Sequence, residues 1–108
     1  KGKEVEQKIG RLAQAARSVG IHIVMATQKP SADVVKGRIK SNFVARLAFR
    51  VPAWHDSRTI ITKSGPGAET LLGKGDCLLE TSQSNDLTRM QSPLTDDHEV
   101  TNLIKAIS

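Results

Sequence analysis

A run of seven residues, Ile21-His22-Ile23-Val24-Met25-Ala26-Thr27, lies between Gly20 and Pro30 and does most to restrict the fold of this chain. It is apolar, rich in β-branched side chains, too short for a typical helix and bounded by residues that break regular structure. It therefore reads as a buried strand of the parallel kind, whose two faces are both covered. Just before it, Val5, Ile9, Leu12, Ala16 and Val19 recur at steps of three or four between Lys3 and Val19, the spacing of one helix face. Gly20 is placed to close that helix by taking the left-handed conformation. A helix that delivers the chain straight into such a strand is a unit of layered α/β architecture.

The remainder alternates in the same way. Asp33 can cap a short helix through about Lys40, with Asn42 ending it. From Phe43 to Val51 the odd-numbered residues Phe43, Ala45, Leu47, Phe49 and Val51 fall on one side of a second strand. Asp56 to Thr62 reads as a short helix, Ser64-Gly65-Pro66-Gly67 as a turn, and Ala68 to Leu72 as another helical turn or two. After Gly73 and Gly75 come a strand at Cys77–Thr81, a polar hairpin at Ser82–Asp86 and a strand at Leu87–Gln91. Thr95-Asp96-Asp97 can cap a closing helix in which Val100, Leu103, Ile104 and Ile107 share a face. The expected fold class is α/β, a partial layered sheet with flanking helices and a late antiparallel strand pair, in one domain of 108 residues.

Charge narrows the function. The formal net charge is +5, and between Lys29 and Lys63 stand Lys36, Arg38, Lys40, Arg46, Arg50 and Arg58, opposed only by Asp33 and Asp56. Such a segment fits either a polyanionic partner or a solvated surface. Trp54, Phe43 and Phe49 are the only aromatic residues besides histidine, so base stacking is poorly supplied and phosphate contact is the mode expected. Cys77 is the single cysteine, which excludes an internal disulfide and a cysteine-rich zinc site and suits a reducing compartment. No apolar run approaches the roughly 20 residues that span a bilayer, and the absence of an initiator Met at Lys1 reads as a boundary rather than a natural start.

At the end of the first expected strand stands Ala26-Thr27-Gln28-Lys29-Pro30-Ser31. Ligands of open α/β sheets gather beyond the carboxyl ends of parallel strands, so Thr27 and Gln28 could hold a phosphate or an attacking water there. An amide donates to phosphate and accepts from water without adding charge, although the two residues equally suit the backbone needs of a turn. Gly73-Lys74-Gly75-Asp76 lacks the pattern of a phosphate loop and precedes a strand, not a helix. His22, His55 and His98 show no metal-ligand spacing, and no motif supplies a base to Cys77, which reads as packed core.

Several blocks together, Ile9-Gly10-Arg11-Leu12-Ala13-Gln14-Ala15-Ala16-Arg17, Ala26 to Ser31, Ile39-Lys40-Ser41-Asn42, Asp56-Ser57-Arg58-Thr59-Ile60 and Gly67 to Asp76, resemble the second half of the FtsK/SpoIIIE motor. They stand in that family's order and near its spacing across almost the whole chain. The resemblance implies the C-terminal half of a RecA-like ATPase motor domain, without the phosphate-binding loop or the acidic magnesium strand. It also implies hexameric rings around double-stranded DNA and ATP-driven translocation in chromosome segregation or DNA transfer. ATP and Mg2+ would serve the full-length parent, with neither bound by this segment alone and no other small-molecule substrate. The place implied is the cytoplasm, on a parent that can be tethered to the bacterial inner membrane.

Residue by residue, the resemblance puts Thr27 and Gln28 on the ATP-sensing strand and Arg17 at the arginine finger offered to a neighbouring subunit. Arg17 lies about 120° from the centre of the apolar helix face, with Arg11 on the other flank. Lys29 and Arg58 match positions that face the DNA channel, and Arg50, Lys36 and Arg38 add charge nearby. Trp54 departs from the family, standing where relatives often carry a basic residue. Two other functions remain open on the sequence: a secretion or conjugation ATPase of the same fold, and a non-catalytic DNA-binding or assembly module.

Overall fold

The computed structural model describes residues 2–33, 35 and 37–108, and of Arg38 the backbone only. Four α-helices and three strands follow the alternation read from the sequence: α1 (Gly2–Ala16), α2 (Gly37–Asn42), β1 (Arg46–Phe49), α3 (Trp54–Ile60), β2 (Asp76–Glu80), β3 (Thr88–Gln91) and α4 (Asp97–Ile107). Two short 3-10 turns, Arg17–Val19 and Ala68–Thr70, lie between them.

The sheet is antiparallel throughout, in the order β1-β2-β3. Ala48 lies opposite Leu78, and both side chains enter a core shared with Val51, Ile61, Ala68 and Leu71. α3 and the turn at Ala68–Thr70 thus cover one sheet face, and burying each of these larger aliphatic side chains stabilises by about 1.5–3 kcal/mol. Strand alternation sends Leu47 and Phe49 to the other face, where each is 47% exposed. Beneath the core, Ser57 is fully buried, and its hydroxyl accepts the Ala68 N–H at 2.8 Å, pinning α3 to the following turn.

The single face expected for the odd-numbered residues from Phe43 to Val51 is divided, because Val51 joins Ala48 in the core while Leu47 and Phe49 face away. Two further features differ from the sequence reading. Residues 21–27 form no strand: Val24 is 94% exposed, and no described strand lies beside the segment. A parallel strand needs ladder partners for its amides and carbonyls, and none of the three described strands pairs with this segment. Second, α1 buries the small residues Gly10, Ala13 and Ala16, whereas Val5, Leu12 and Val19 are more than half exposed. The neighbour that α1 meets is the short α2, reached by the Asn42 side-chain amide bonding the Gly10 carbonyl at 3.5 Å.

The ends of the helices follow the sequence closely. Gly20 has φ of 73° and ψ of 22°, and the Ile21 N–H donates to the Ala16 carbonyl at 3.0 Å, a left-handed closure with its six-to-one hydrogen bond. Asp96 accepts the Glu99 N–H at 2.8 Å while its own N–H donates to the Glu99 carboxylate at 3.1 Å, completing the expected N-terminal cap of α4. The stripe Val100, Leu103, Ile104 and Ile107 on that helix is exposed.

Candidate functional site

The turn that closes α1 sets Arg17. As the first residue of the Arg17–Val19 3-10 turn it is exposed, and no hydrogen bond or ion pair joins its guanidinium to another described residue. It lines an open cleft of about 230 Å³ together with Ala13, Ala16, His22, Asn42 and Phe43, between the end of α1, the irregular chain after Gly20 and the residues that follow α2. A cation held at the wall of an open cleft, with its donors unused, can meet an anion arriving from outside the chain.

Thr27, Gln28 and Lys29 are all exposed on the segment that follows Gly20. The Thr27 hydroxyl accepts the Lys29 N–H at 3.2 Å, which fixes the local bend before Pro30. Lys36 and the side chain of Arg38, both expected at the DNA face, lie outside the described residues. Arg50 is exposed and runs beside the Gly73 backbone.

Arg58 is held differently from a free surface cation. Its guanidinium donates to the Lys63 carbonyl at 2.6 Å and to the Gly65 carbonyl at 3.2 Å, and it stacks over Trp54 with 5.5 Å between Cζ and the ring centroid. Trp54 itself is 60% exposed. The positive charge remains, but its direction is fixed by the loop it caps.

Behind these segments lies a network that charge counting did not find. Arg46 and Glu80 face each other across β1 and β2, with Nη1 2.8 Å from Oε1 and side chains 15% and 5% exposed. Arg46 also donates to the Phe43 carbonyl at 3.0 Å, to the Lys40 carbonyl and to the Thr62 hydroxyl at 3.2 Å. Glu80 accepts the Thr62 N–H at 2.7 Å, the Lys63 N–H at 3.3 Å and the Thr62 hydroxyl. Lys40 Nζ donates to the Arg58 carbonyl at 2.8 Å. Burial raises the Glu80 carboxyl, but the Thr62 hydroxyl, the Thr62 and Lys63 N–H groups and the Arg46 charge more than offset it and hold the pKa below the ordinary value. Burial, followed by the nearby Arg46 charge, lowers the Lys40 pKa against the opposing pull of Glu80. Removing one partner of a buried pair strands the other charge, at about 3–5 kcal/mol. The signal in the sequence was Glu80 at the end of the apolar run Cys77-Leu78-Leu79, legible only once the register with Arg46 is known.

A second ion pair, Asp76 with Arg89, closes the far end of the sheet. Arg89 donates through Nε and Nη2 at 2.9 and 2.7 Å, and the Leu72 N–H adds a bond at 2.8 Å. The Arg89 hydrogen bonds foremost, then that N–H, bring the Asp76 carboxyl from 3.8 to about 2. Among the described residues no three His, Cys, Asp or Glu side chains gather as a metal site, and no helix is long and apolar enough to cross a membrane.

Over 102 residues the chain is 49% identical to the DNA translocase FtsK of Haemophilus influenzae, covering 94% of this chain and 19% of that protein. The FtsK of Chlorobaculum tepidum is 50% identical over 99 residues, 92% of this chain and 12% of the relative. The chain is a segment of the FtsK type. No protein-family model matches it, and it spans between a tenth and a fifth of the length of the relatives it matches. The FtsK-type segment also superposes on the conjugation coupling protein TcpA of pCW3, in its monomer form with ATPγS, at a TM-score of 0.77 and 24% identity. That likeness covers 96% of this chain and 29% of TcpA, and it supports the partial RecA-like α/β class.

Proposed function

We propose that this segment belongs to an ATP-dependent double-stranded DNA translocase, for which it supplies inter-subunit and DNA-facing residues of the motor. The observation that carries this reading is the 46–50% identity to FtsK translocases across more than nine-tenths of the chain. The unpaired apolar segment 21–27 supports it further: in a motor of this kind its ladder partners would come from the rest of the longer protein.

In this reading Arg17 is the arginine finger. Its guanidinium reaches the nucleotide of a neighbouring subunit in a ring and stabilises negative charge developing on the transferred phosphoryl group. Thr27 and Gln28 stand where the state of the nucleotide is sensed, and Lys29, Arg50, Arg58, Lys36 and Arg38 face the DNA. In this proposal the magnesium nucleotide is held by the rest of the longer protein, in keeping with a sequence here that carries no phosphate-loop pattern, and the segment alone is expected to turn over no ATP. A hexameric ring, a role in chromosome segregation or cell division, and membrane tethering of the parent belong to the same proposal.

The test is Arg17→Ala in the full-length protein. DNA-stimulated ATP turnover should fall roughly a thousandfold or more, with nucleotide binding largely intact, because the finger acts on the transition state. Turnover at the normal rate would remove Arg17 from the role and make Arg11 the next residue to substitute. The likeness to TcpA keeps conjugative DNA transfer as a second reading. Stimulation by single-stranded DNA in preference to duplex would favour it.

A further inference from the structure

The basic segment between Lys29 and Lys63 invites the view that its cations all serve one purpose, yet the structure divides them. Arg46 is committed to a buried carboxylate and to two main-chain carbonyls at the exit of α2, and Glu80 takes the two amides that follow α3. Lys40 spans the gap directly, from the last turn of α2 to the Arg58 carbonyl in the last turn of α3. Arg58 in turn caps the Lys63 and Gly65 carbonyls of the next loop. The two basic stretches are thus braced on a single ion pair inherited from the sheet.

We infer that Lys40, Arg46 and Glu80 are positioning residues, a strut that fixes α2 and α3 relative to each other so that the basic stretches meet duplex DNA as one rigid surface, and that Lys40 and Arg46 themselves neutralise no phosphate. The inference rests on the DNA-facing reading proposed above. The Arg58 carbonyl accepting one of the three Lys40 Nζ donors at 2.8 Å ties that part-buried ammonium to α3, and the Arg46 side chain is 15% exposed with its donors turned to Glu80, Phe43, Lys40 and Thr62. Glu80 is an acid inside a cationic region, which a surface built for charge alone would exclude. A strut accounts for it, because the carboxylate holds both the cation and the amides.

A phosphate contact and a strut leave different marks on salt dependence. Each cation that neutralises a phosphate contributes about one to the slope of log affinity against log salt concentration, whereas a strut contributes nothing. The experiment uses the full-length protein, a labelled random-sequence duplex, and fluorescence anisotropy across about 50–200 mM salt. Lys40→Met should weaken binding about 3- to 10-fold, the worth of roughly one hydrogen bond, with the slope of the unsubstituted protein. Glu80→Gln should do the same although it removes a negative charge, which on electrostatics alone would tighten binding. In both variants the DNA concentration giving half-maximal ATPase stimulation should rise while the rate at saturating DNA is retained.

A slope lower by about one in Lys40→Met would make Lys40 a phosphate contact and overturn the strut. Tighter binding by Glu80→Gln, or affinity unchanged in both variants, would overturn it as well. If Glu80→Gln does not fold, Lys40→Met decides the question alone, since it keeps both Arg46 and Glu80 of the buried pair. A parent protein that binds no duplex before any substitution refutes the DNA-facing reading, and the strut's proposed purpose with it.

Discussion

Ser57→Ala removes one oxygen from a site with no room to compensate. The Ser57 hydroxyl accepts the Ala68 N–H at 2.8 Å; Ser57 and Ala68 are each 0% exposed, so water cannot replace the lost acceptor without a rearrangement. A neutral hydrogen bond exchanged for one with water is worth about 1 kcal/mol, but a buried donor left unpaired costs its full desolvation, about 1–3 kcal/mol. The expected loss lies in that upper range. It should be local first, because the bond ties α3 to the turn that carries Ala68 and Leu71 into the core. Amide hydrogen exchange reads it directly: protection at Ala68 should fall roughly 5- to 150-fold in the variant, by the tenfold per 1.4 kcal/mol equivalence. Ser57→Thr keeps the acceptor and should retain the Ala68 protection if the extra methyl is accommodated. Unchanged Ala68 protection in Ser57→Ala would refute the reasoning, showing that the buried N–H finds another partner.

Gly75→Ala should destabilise by about 1–3 kcal/mol, read as a lower urea midpoint, because φ is +92° and a Cβ would stand 2.5 Å from the Ser92 carbonyl oxygen, a backbone atom that cannot swing away. Acid should weaken the far end of the sheet. The Asp76 carboxyl has a folded pKa of about 2 against an ordinary 3.8, so the unfolded chain takes up its proton first. The stability that it contributes is present above about pH 4 and is lost as pH falls toward 2; Glu80, also lowered, adds in the same direction. Thermal midpoints measured from pH 6 to pH 2 should flatten in Asp76→Asn relative to the unsubstituted chain.

How much of this was legible in the sequence depends on how local the cause is. Gly20 and Asp96 announced their helix ends because a left-handed residue and a capping box act within a few neighbours. The strand pair around the Ser82–Asp86 hairpin was legible for the same reason, as alternation and a polar turn suffice to specify it. Residues 21–27 have the composition of a buried strand, but composition cannot supply the ladder, and without one the segment is irregular and largely exposed. Arg46 looked like one cation among several; its commitment to Glu80 depends on a register between residues 34 apart in sequence. Arg58 stands out in the sequence only by its charge, while the carbonyls that orient it, those of Lys63 and Gly65, carry no sequence signature.

Trp54 is the single tryptophan of the chain, and its ring lies under the Arg58 guanidinium at the start of α3. An indole's emission responds to a cation at its face and to the water around it. Isolated from the rest of a longer protein, the segment therefore contains its own optical gauge, seated on the helix that Lys40 braces. Any movement of the Arg58 loop that separates guanidinium from ring should alter Trp54 emission without a label, so the behaviour of this one basic loop can be followed in time, by stopped flow, as an anion is added.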